Sequence, residues 1–314
     1  MKKSLLSLAI GAVLGLSAIT ASASPVKMNN GTDVGNNGST STTKIDNFAF
    51  NNTVATSFYF PTTAAGIIAG TAVIDTNIKE VMDANGFTPG TKTTLANTSV
   101  DVAYPTSPTG INVNTIGVLN PSGPVTDKNG FVSGEESPYG TATTNGVLWG
   151  LTYQYLLNGV VTANDVSYTS GYFDLFYNDG TLNSQVLRLN VLSSSFSGVS
   201  LTLKGTASFD WTGDGNADGG LFAQNFWEDA RPGATTLYAD WLANPNSINW
   251  SLNTAITPPL PALNQLFASG NALARQSELD GQFKFDVPEP GSLALLGLGL
   301  AGLGLVKRRR NLAK

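Results

Sequence analysis

From Lys44 onward the chain alternates between apolar and polar positions. Val199, Leu201, Leu203, Ala207, Phe209 and Trp211 interleave with Ser200, Thr202, Lys204, Thr206, Ser208 and Asp210. A period of two belongs to an extended strand, whose successive side chains point to opposite faces; Gly205 predicts a bend or bulge in it. The same period runs through Val147, Trp149, Leu151, Tyr153 and Tyr155, through Phe173, Leu175 and Tyr177, through Leu187, Leu189 and Val191, and through Phe283, Phe285 and Val287. Turn formers stand between these runs: Asn158-Gly159, Asn178-Asp179-Gly180, Ser197-Gly198 and Asp280-Gly281. Many strands with one polar face each, joined by tight turns, predict an all-β body, an antiparallel β-sandwich of jelly-roll type. Helical spacing is confined to residues 77–85, 235–242 and 260–268, short decorations on that body. Residues 24–43 are rich in Asn, Gly, Ser and Thr with little to bury, which predicts a flexible leader and a body spanning residues 44–287.

An apolar run breaks the pattern at each end. Lys2 and Lys3 precede a run over residues 5–19, followed by Ala21-Ser22-Ala23, the small-residue spacing of a signal-peptidase site. This predicts a signal peptide over residues 1–23, cut after Ala23, and export through the Sec machinery. At the other end the chain turns apolar from Leu293 to Val306 and then reads Lys307-Arg308-Arg309-Arg310. As a helix the 291–306 stretch would reach roughly 24 Å, slightly less than a ~30 Å hydrocarbon core, which a short helix can still cross with its basic end snorkelling. Clustered positive charge belongs on the cytoplasmic side, so this transmembrane helix runs from outside to inside. The two ends thus predict the same topology from unrelated signals.

Pro288-Glu289-Pro290, the Gly-rich apolar run and Arg308, Arg309 and Arg310 resemble the PEP-CTERM sorting signal of exopolysaccharide-producing Gram-negative bacteria. The resemblance assigns residues 288–314 to the signal. It implies recognition by an exosortase-type membrane enzyme, transient anchoring in the inner membrane, and release or transfer to the extracellular or cell-surface matrix. Pro288 and Pro290 have fixed φ and no amide donor, which keeps the segment extended where an enzyme can grip it. A rigid linker before a permanent anchor would use the same residues, so cleavage and retention both stay open.

Composition narrows the chemistry of the body. The 314 residues include no His and no Cys, which excludes a Ser-His-Asp triad, a thiol nucleophile, the usual zinc and haem ligation, and any disulfide framework. Two of the 17 basic residues precede Ala23 and five follow Gly291, so residues 24–290 set ten against all 22 acidic residues. A surface that acidic repels nucleic acid and anionic lipid.

Two constellations carry candidate chemistry. Asp214, Asn216, Asp218 and Gly220 fit the first half of a calcium loop, with Gly219 at the bend, but Asn225 stands where the bidentate Glu belongs. Two readings follow, a weakened calcium site or a hairpin turn. Trp211, Trp227, Trp241 and Trp250 fall close together with Phe222, Phe226 and Tyr238. Exposed rings of this kind, chiefly Trp227, Trp241 and Tyr238, would stack on sugars, whereas buried ones fill a core. The neighbouring acids Glu228 and Asp229 read as solvated charges, because adjacency in sequence does not set two carboxyls across a bond.

The segments Phe209-Asp210-Trp211-Thr212-Gly213-Asp214, Asn225-Phe226-Trp227-Glu228-Asp229 and Leu273-Ala274-Arg275-Gln276-Ser277-Glu278-Leu279-Asp280-Gly281 resemble the flocculation-associated PEP-CTERM proteins. That resemblance implies a secreted, non-enzymatic protein that aggregates cells within exopolysaccharide. The alternatives are a secreted carbohydrate-active enzyme and a surface- or ice-binding protein with a Thr-rich face.

Overall fold

A computed structural model of the chain describes residues 25–31, 39–42, 44–62, 66–105, 114–122, 150–179, 182–231, 233, 235–255 and 260–286. Its strands are β1 (Val26–Met28), β2 (Lys44–Phe60), β3 (Ala72–Thr76), β4 (Gly90–Thr93), β5 (Ser99–Val102), β6 (Asn114–Ser122), β7 (Gly150–Val161), β8 (Val166–Asn178), β9 (Asn183–Ser197), β10 (Ser200–Ser208), β11 (Trp227–Asp229), β12 (Asn249–Ala255), β13 (Phe267–Ser269) and β14 (Ala272–Asp286). The helices are α1 (Lys79–Ala84), α2 (Gly220–Phe226) and α3 (Leu237–Ala243).

The alternating segments form strands, and all of them pair antiparallel. Hydrogen bonds lead from β2 to β3 and on through β7, β8, β9, β10 and β12 to β14. β14 then pairs with β2, Leu273 opposite Tyr59 and Phe283 opposite Phe48, so the path returns to its start. β6 shares with β3 the place between β2 and β7. The body is therefore a closed ring of strands, where the alternation predicted the two facing sheets of a jelly-roll-like sandwich. Period two says which face is buried and is identical in both architectures. Closure depends on contacts such as Gln276 Nε2 donating to Thr56 Oγ1 at 3.1 Å across 220 positions of sequence.

The apolar faces turn inward. Phe48, Tyr59, Tyr155, Phe173, Leu189, Leu203, Trp250 and Phe283 are among the buried residues of one continuous core. A lipid-embedded barrel would invert this arrangement. Residues 55–59 of β2 are buried on both faces, because a second cluster of Phe58, Met82, Phe87, Val102, Phe267 and Ala274 packs α1 and the β4–β5 hairpin on its outside. The expected bulge lies opposite Gly205. Lys204 pairs with Ser193 and Gly205 with Val191, leaving Leu192 as the extra residue, 64% exposed. Gly205 is required there. A Cβ would stand 1.7 Å from Asn190 O and 2.9 Å from Trp250 Nε1, the two atoms that hydrogen-bond to each other at 3.1 Å.

Three expectations change. Val26 and Met28, in the segment read as a leader, are buried on β1, which pairs with β11. Met28 N donates to Thr42 Oγ1, and Thr42 N returns the bond to Met28 O, so this polar stretch is held by its own hydroxyls. Residues 260–268 are not a helix. Leu266 packs in the main core and Phe267 in the second cluster, and serving two cores with consecutive residues demands the alternation of β13. Helix α2 was not expected; Phe222, Ala223 and Phe226 share its inward side and two of its rings meet Tyr177. The helices expected at 77–85 and 235–242 are α1 and α3. The signal peptide and the apolar tail lie outside the described residues, and among those described no helix is long and apolar enough to cross a membrane.

One polar group sits inside the ring. Asp75 on β3 accepts Ser57 Oγ at 2.6 Å, Tyr155 OH at 2.5 Å and Tyr168 OH at 3.3 Å. A cavity of about 20 Å³ lies beside it, reached also by Arg275 of β14. Burial pushes the Asp75 carboxyl above the usual carboxylate range against these hydrogen bonds and the Arg275 charge, and it pushes the Tyr155 and Tyr168 hydroxyls well above theirs.

Two outcomes follow for stability. Gly205→Ala should cost about 2–3 kcal/mol in denaturant unfolding, because the methyl drives into Asn190 and Trp250; an unchanged midpoint would show that the ring relaxes around it. Folding raises the Asp75 pKa, so its stabilising contribution is complete below the unfolded value of about 4 and declines as pH rises through the folded one. Melting curves of Asp75→Asn and the parent should therefore diverge in the variant's favour with rising pH, and parallel curves would contradict the assignment.

Candidate functional site

The sorting residues Pro288, Glu289, Pro290, Arg308, Arg309 and Arg310, and the cleavage pair Ala21 and Ala23, lie outside the described residues. The structure fixes where the tail departs. Asp286 ends β14 opposite Asn249 of β12, and Phe285 packs against Trp227 and Phe48 with ring centroids 5.5 and 6.0 Å away. Met28 of β1 lies opposite the same Trp227. β1 and β14, the first and last strands of the described residues, thus meet at one end of the ring.

The segment between β10 and β12 covers that end, and the calcium half-motif lies in it. Asp218 accepts the amides of Trp211 at 2.7 Å and Thr212 at 2.9 Å. Asp210 accepts those of Gly213 and Gly215 at 2.6 and 2.8 Å, and Asp214 that of Asn216 at 2.8 Å. Asp214 and Asp218, two of the residues of the half-motif, thus hold the backbone of their own turn. Among the described residues no group of three or more Asp or Glu is placed to hold a metal ion. Gly220 is exposed at φ 63° and opens α2, while Asn225, at the failed twelfth position, donates to Leu221 O within that helix. The Thr212 amide, followed by burial working the other way and the Trp211 amide, holds the Asp218 carboxyl below its ordinary range.

A second bond ties the turn to the ring. Arg188 on β9 grips Asp174 on β8 through Nε at 2.7 Å and Nη2 at 2.8 Å, lies over the Tyr172 ring, and donates from Nη1 to Trp211 O at 2.7 Å. A bidentate guanidinium–carboxylate pair of this kind fixes orientation as well as charge. The pair escaped the sequence reading, although a signal was present. Asp174 and Arg188 are polar positions between apolar neighbours on consecutive strands, and the register sets them directly opposite.

The aromatic cluster divides. Trp227 is wholly buried and Trp241 is 5% exposed, so both belong to the core and neither presents a face to a sugar. Tyr238 is half-buried, stacked at 6.0 Å on Trp241 and edge-on to Phe209. The adjacent acids are not solvated charges either. Glu228 accepts Asn29 Nδ2 at 2.9 Å and Ser41 Oγ at 2.8 Å, pinning the chain around β1. Asp229 is buried and gripped by Arg231, which reaches Asp240 of α3 at 3.1 Å. Desolvation raises the Asp240 carboxyl, partly opposed by Arg231 and reinforced by Asp229.

Because folding lowers the Asp218 pKa, its contribution is present at neutral pH and lost as pH falls through the depressed value. Asp218→Asn should flatten the acid limb of the melting-temperature profile and leave the alkaline limb alone; an unaltered acid limb would mean the turn does not depend on this charge.

In comparison with known proteins, residues 286–310 match the PEP-CTERM protein-sorting motif. No curated protein and no solved structure matches the chain. The match begins on the last residue of β14, at the end of the ring where β1 and the acid-stapled turn also lie. The motif implies export, transient membrane anchoring and recognition by an exosortase-type processing enzyme. The chain carries a PEP-CTERM protein-sorting signal, joined directly to the final strand of a closed antiparallel β body.

Proposed function

We propose that this is an extracellular matrix protein that promotes cell aggregation by binding exopolysaccharide after sorting through its C-terminal signal, and that it acts without catalysis. The observation that carries this reading is the direct junction between the sorting motif and the last strand of a stiff, closed body, which suits a chain delivered to the surface as a passive binding module. The body's own chemistry supports it. The buried carboxylates Asp75, Asp174 and Asp229 are engaged with hydroxyls or guanidinium groups that hold strands together, the use expected of a scaffold. A flocculating role rests on the three body segments that resemble flocculation-associated proteins, and an acidic, Asn- and Thr-rich exterior keeps such a protein dispersed until it meets its ligand.

The test is a gene deletion in the producing strain, complemented with the full chain or with a chain ending at Val287, and scored for flocs. The full chain should restore aggregation, and mass spectrometry of the released protein should place its new end near Pro290. The shortened chain should leave the cells dispersed. Unchanged flocs in the deletion strain would defeat the adhesive role, and a secreted product that still ends in its basic cluster would defeat processing.

A further inference from the structure

The outer face of the ring carries one region whose chemistry departs from the rest of this acidic body. Cross-strand register places Ser193, Lys204, Ser251 and Lys284 in a single row over β9, β10, β12 and β14. The next row toward one end is Ser195, Thr202, Asn253 and Gln282, and there Thr202 Oγ1 hydrogen-bonds Asn253 Oδ1 at 2.7 Å. In the other direction Thr206, Asn249 and Asp286 are aligned. Because neighbouring strands lie about 4.8 Å apart, the backbones of Lys204 and Lys284 are about 10 Å apart, with Ser251 between them. Their side chains bound a shallow groove of about 520 Å³.

The bulge shapes this face. Leu192, the extra residue, turns outward beside Ser193 and supplies an apolar shoulder to a groove of hydroxyls, amides and two ammonium groups, with the Asp286 carboxylate at one margin. Lys204 is exposed. Lys284 is held only loosely, its Nζ 3.9 Å from Asp286 Oδ1, a separation typical of a weak surface pair. On β14 the acids on either side of the row are Asp280, opposite Ala255, and Asp286, opposite Asn249. An anionic chain laid along β14 would run over both. Laid across the strands, it meets Lys204 and Lys284 in succession and passes between these two acids of β14.

We propose that this groove binds an acidic polysaccharide, crossing the strands with its carboxylates on Lys204 and Lys284, its hydroxyls on Ser193, Thr202 and Asn253, and a sugar C–H face on Leu192. The inference rests on the exopolysaccharide reading above and names its ligand class and its site. Charge complementarity carries it. In a body with more than twice as many acids as bases, two outward lysines in one cross-strand row, set among neutral donors and acceptors, select a polyanion with hydroxyls over a neutral glycan.

The secreted chain and three variants should be titrated with polygalacturonate, with neutral dextran, with phosphatidylglycerol vesicles and with polysaccharide purified from the producing flocs. The variants are Lys204→Gln/Lys284→Gln, Lys204→Arg/Lys284→Arg, and Lys92→Gln on the β4–β5 hairpin. The parent should bind polygalacturonate more weakly as salt rises and should ignore dextran. The double glutamine variant should keep its melting temperature and lose affinity at least about tenfold, since two charge-assisted contacts go. The arginine pair and Lys92→Gln should bind as the parent does. If the glutamine variant binds as tightly as the parent, the groove assignment falls while the exopolysaccharide reading survives. Equal binding to dextran, or binding to the vesicles but not to polygalacturonate, overturns the acidic-glycan specificity. A parent that binds neither polygalacturonate nor the native polysaccharide sinks this proposal and the broader reading together.

Discussion

The pairing of β14 with β2 is the constraint on which the rest of the body depends. Without it the strand path is an open sheet with two long unpaired edges, liable to pair with other chains. With it, no strand of the ring has a free flank along the joined span, and the inward side chains enclose a core that α1, α2, α3 and the β4–β5 hairpin then cover from outside. The contact joins the beginning of the body to its end. Its loop-closure cost is met only when nearly the whole chain is present, and topologies of such high contact order fold slowly.

Much of this was legible in the residues, and the limits have physical causes. Alternation located β8, β9, β10 and the end of β14, and a lone glycine located the bulge beside Lys204, because both are consequences of side chains one or two positions apart. Closure was not legible, since nothing near Phe48 or Phe283 announces the partner. The Asn- and Thr-rich stretch after residue 24 looked unable to fold because only Val26 and Met28 in it are worth burying; the β1–β11 ladder and the Met28–Thr42 bonds supply the remainder. The tail was the most readable part. A Pro-Glu-Pro segment, an apolar run and an arginine cluster are local in sequence, and their physics needs no tertiary partner.

The acidic turn shows how one spacing can serve two chemistries. Asp at alternate positions aims oxygens toward a centre, and a cation is one way to fill that centre. Backbone amides are another. In this chain Asp210, Asp214 and Asp218 turn to amides, and Arg188 carries the stapled turn onto the wall of the ring. The tryptophans follow the same logic, since rings that suit a sugar also suit a core, and burial of Trp227 and Trp241 settles their use.

The junction at Asp286 also governs geometry at the bilayer. Only one residue separates it from Pro288, and a chain advances at most about 3.5 Å per residue, so the Pro-Glu-Pro segment begins within about 7 Å of Asp286. The pole built from β1, β11 and the acid-stapled turn is therefore the side of the body that borders the sorting motif, while the β7–β8 and β9–β10 turns lie at the opposite pole.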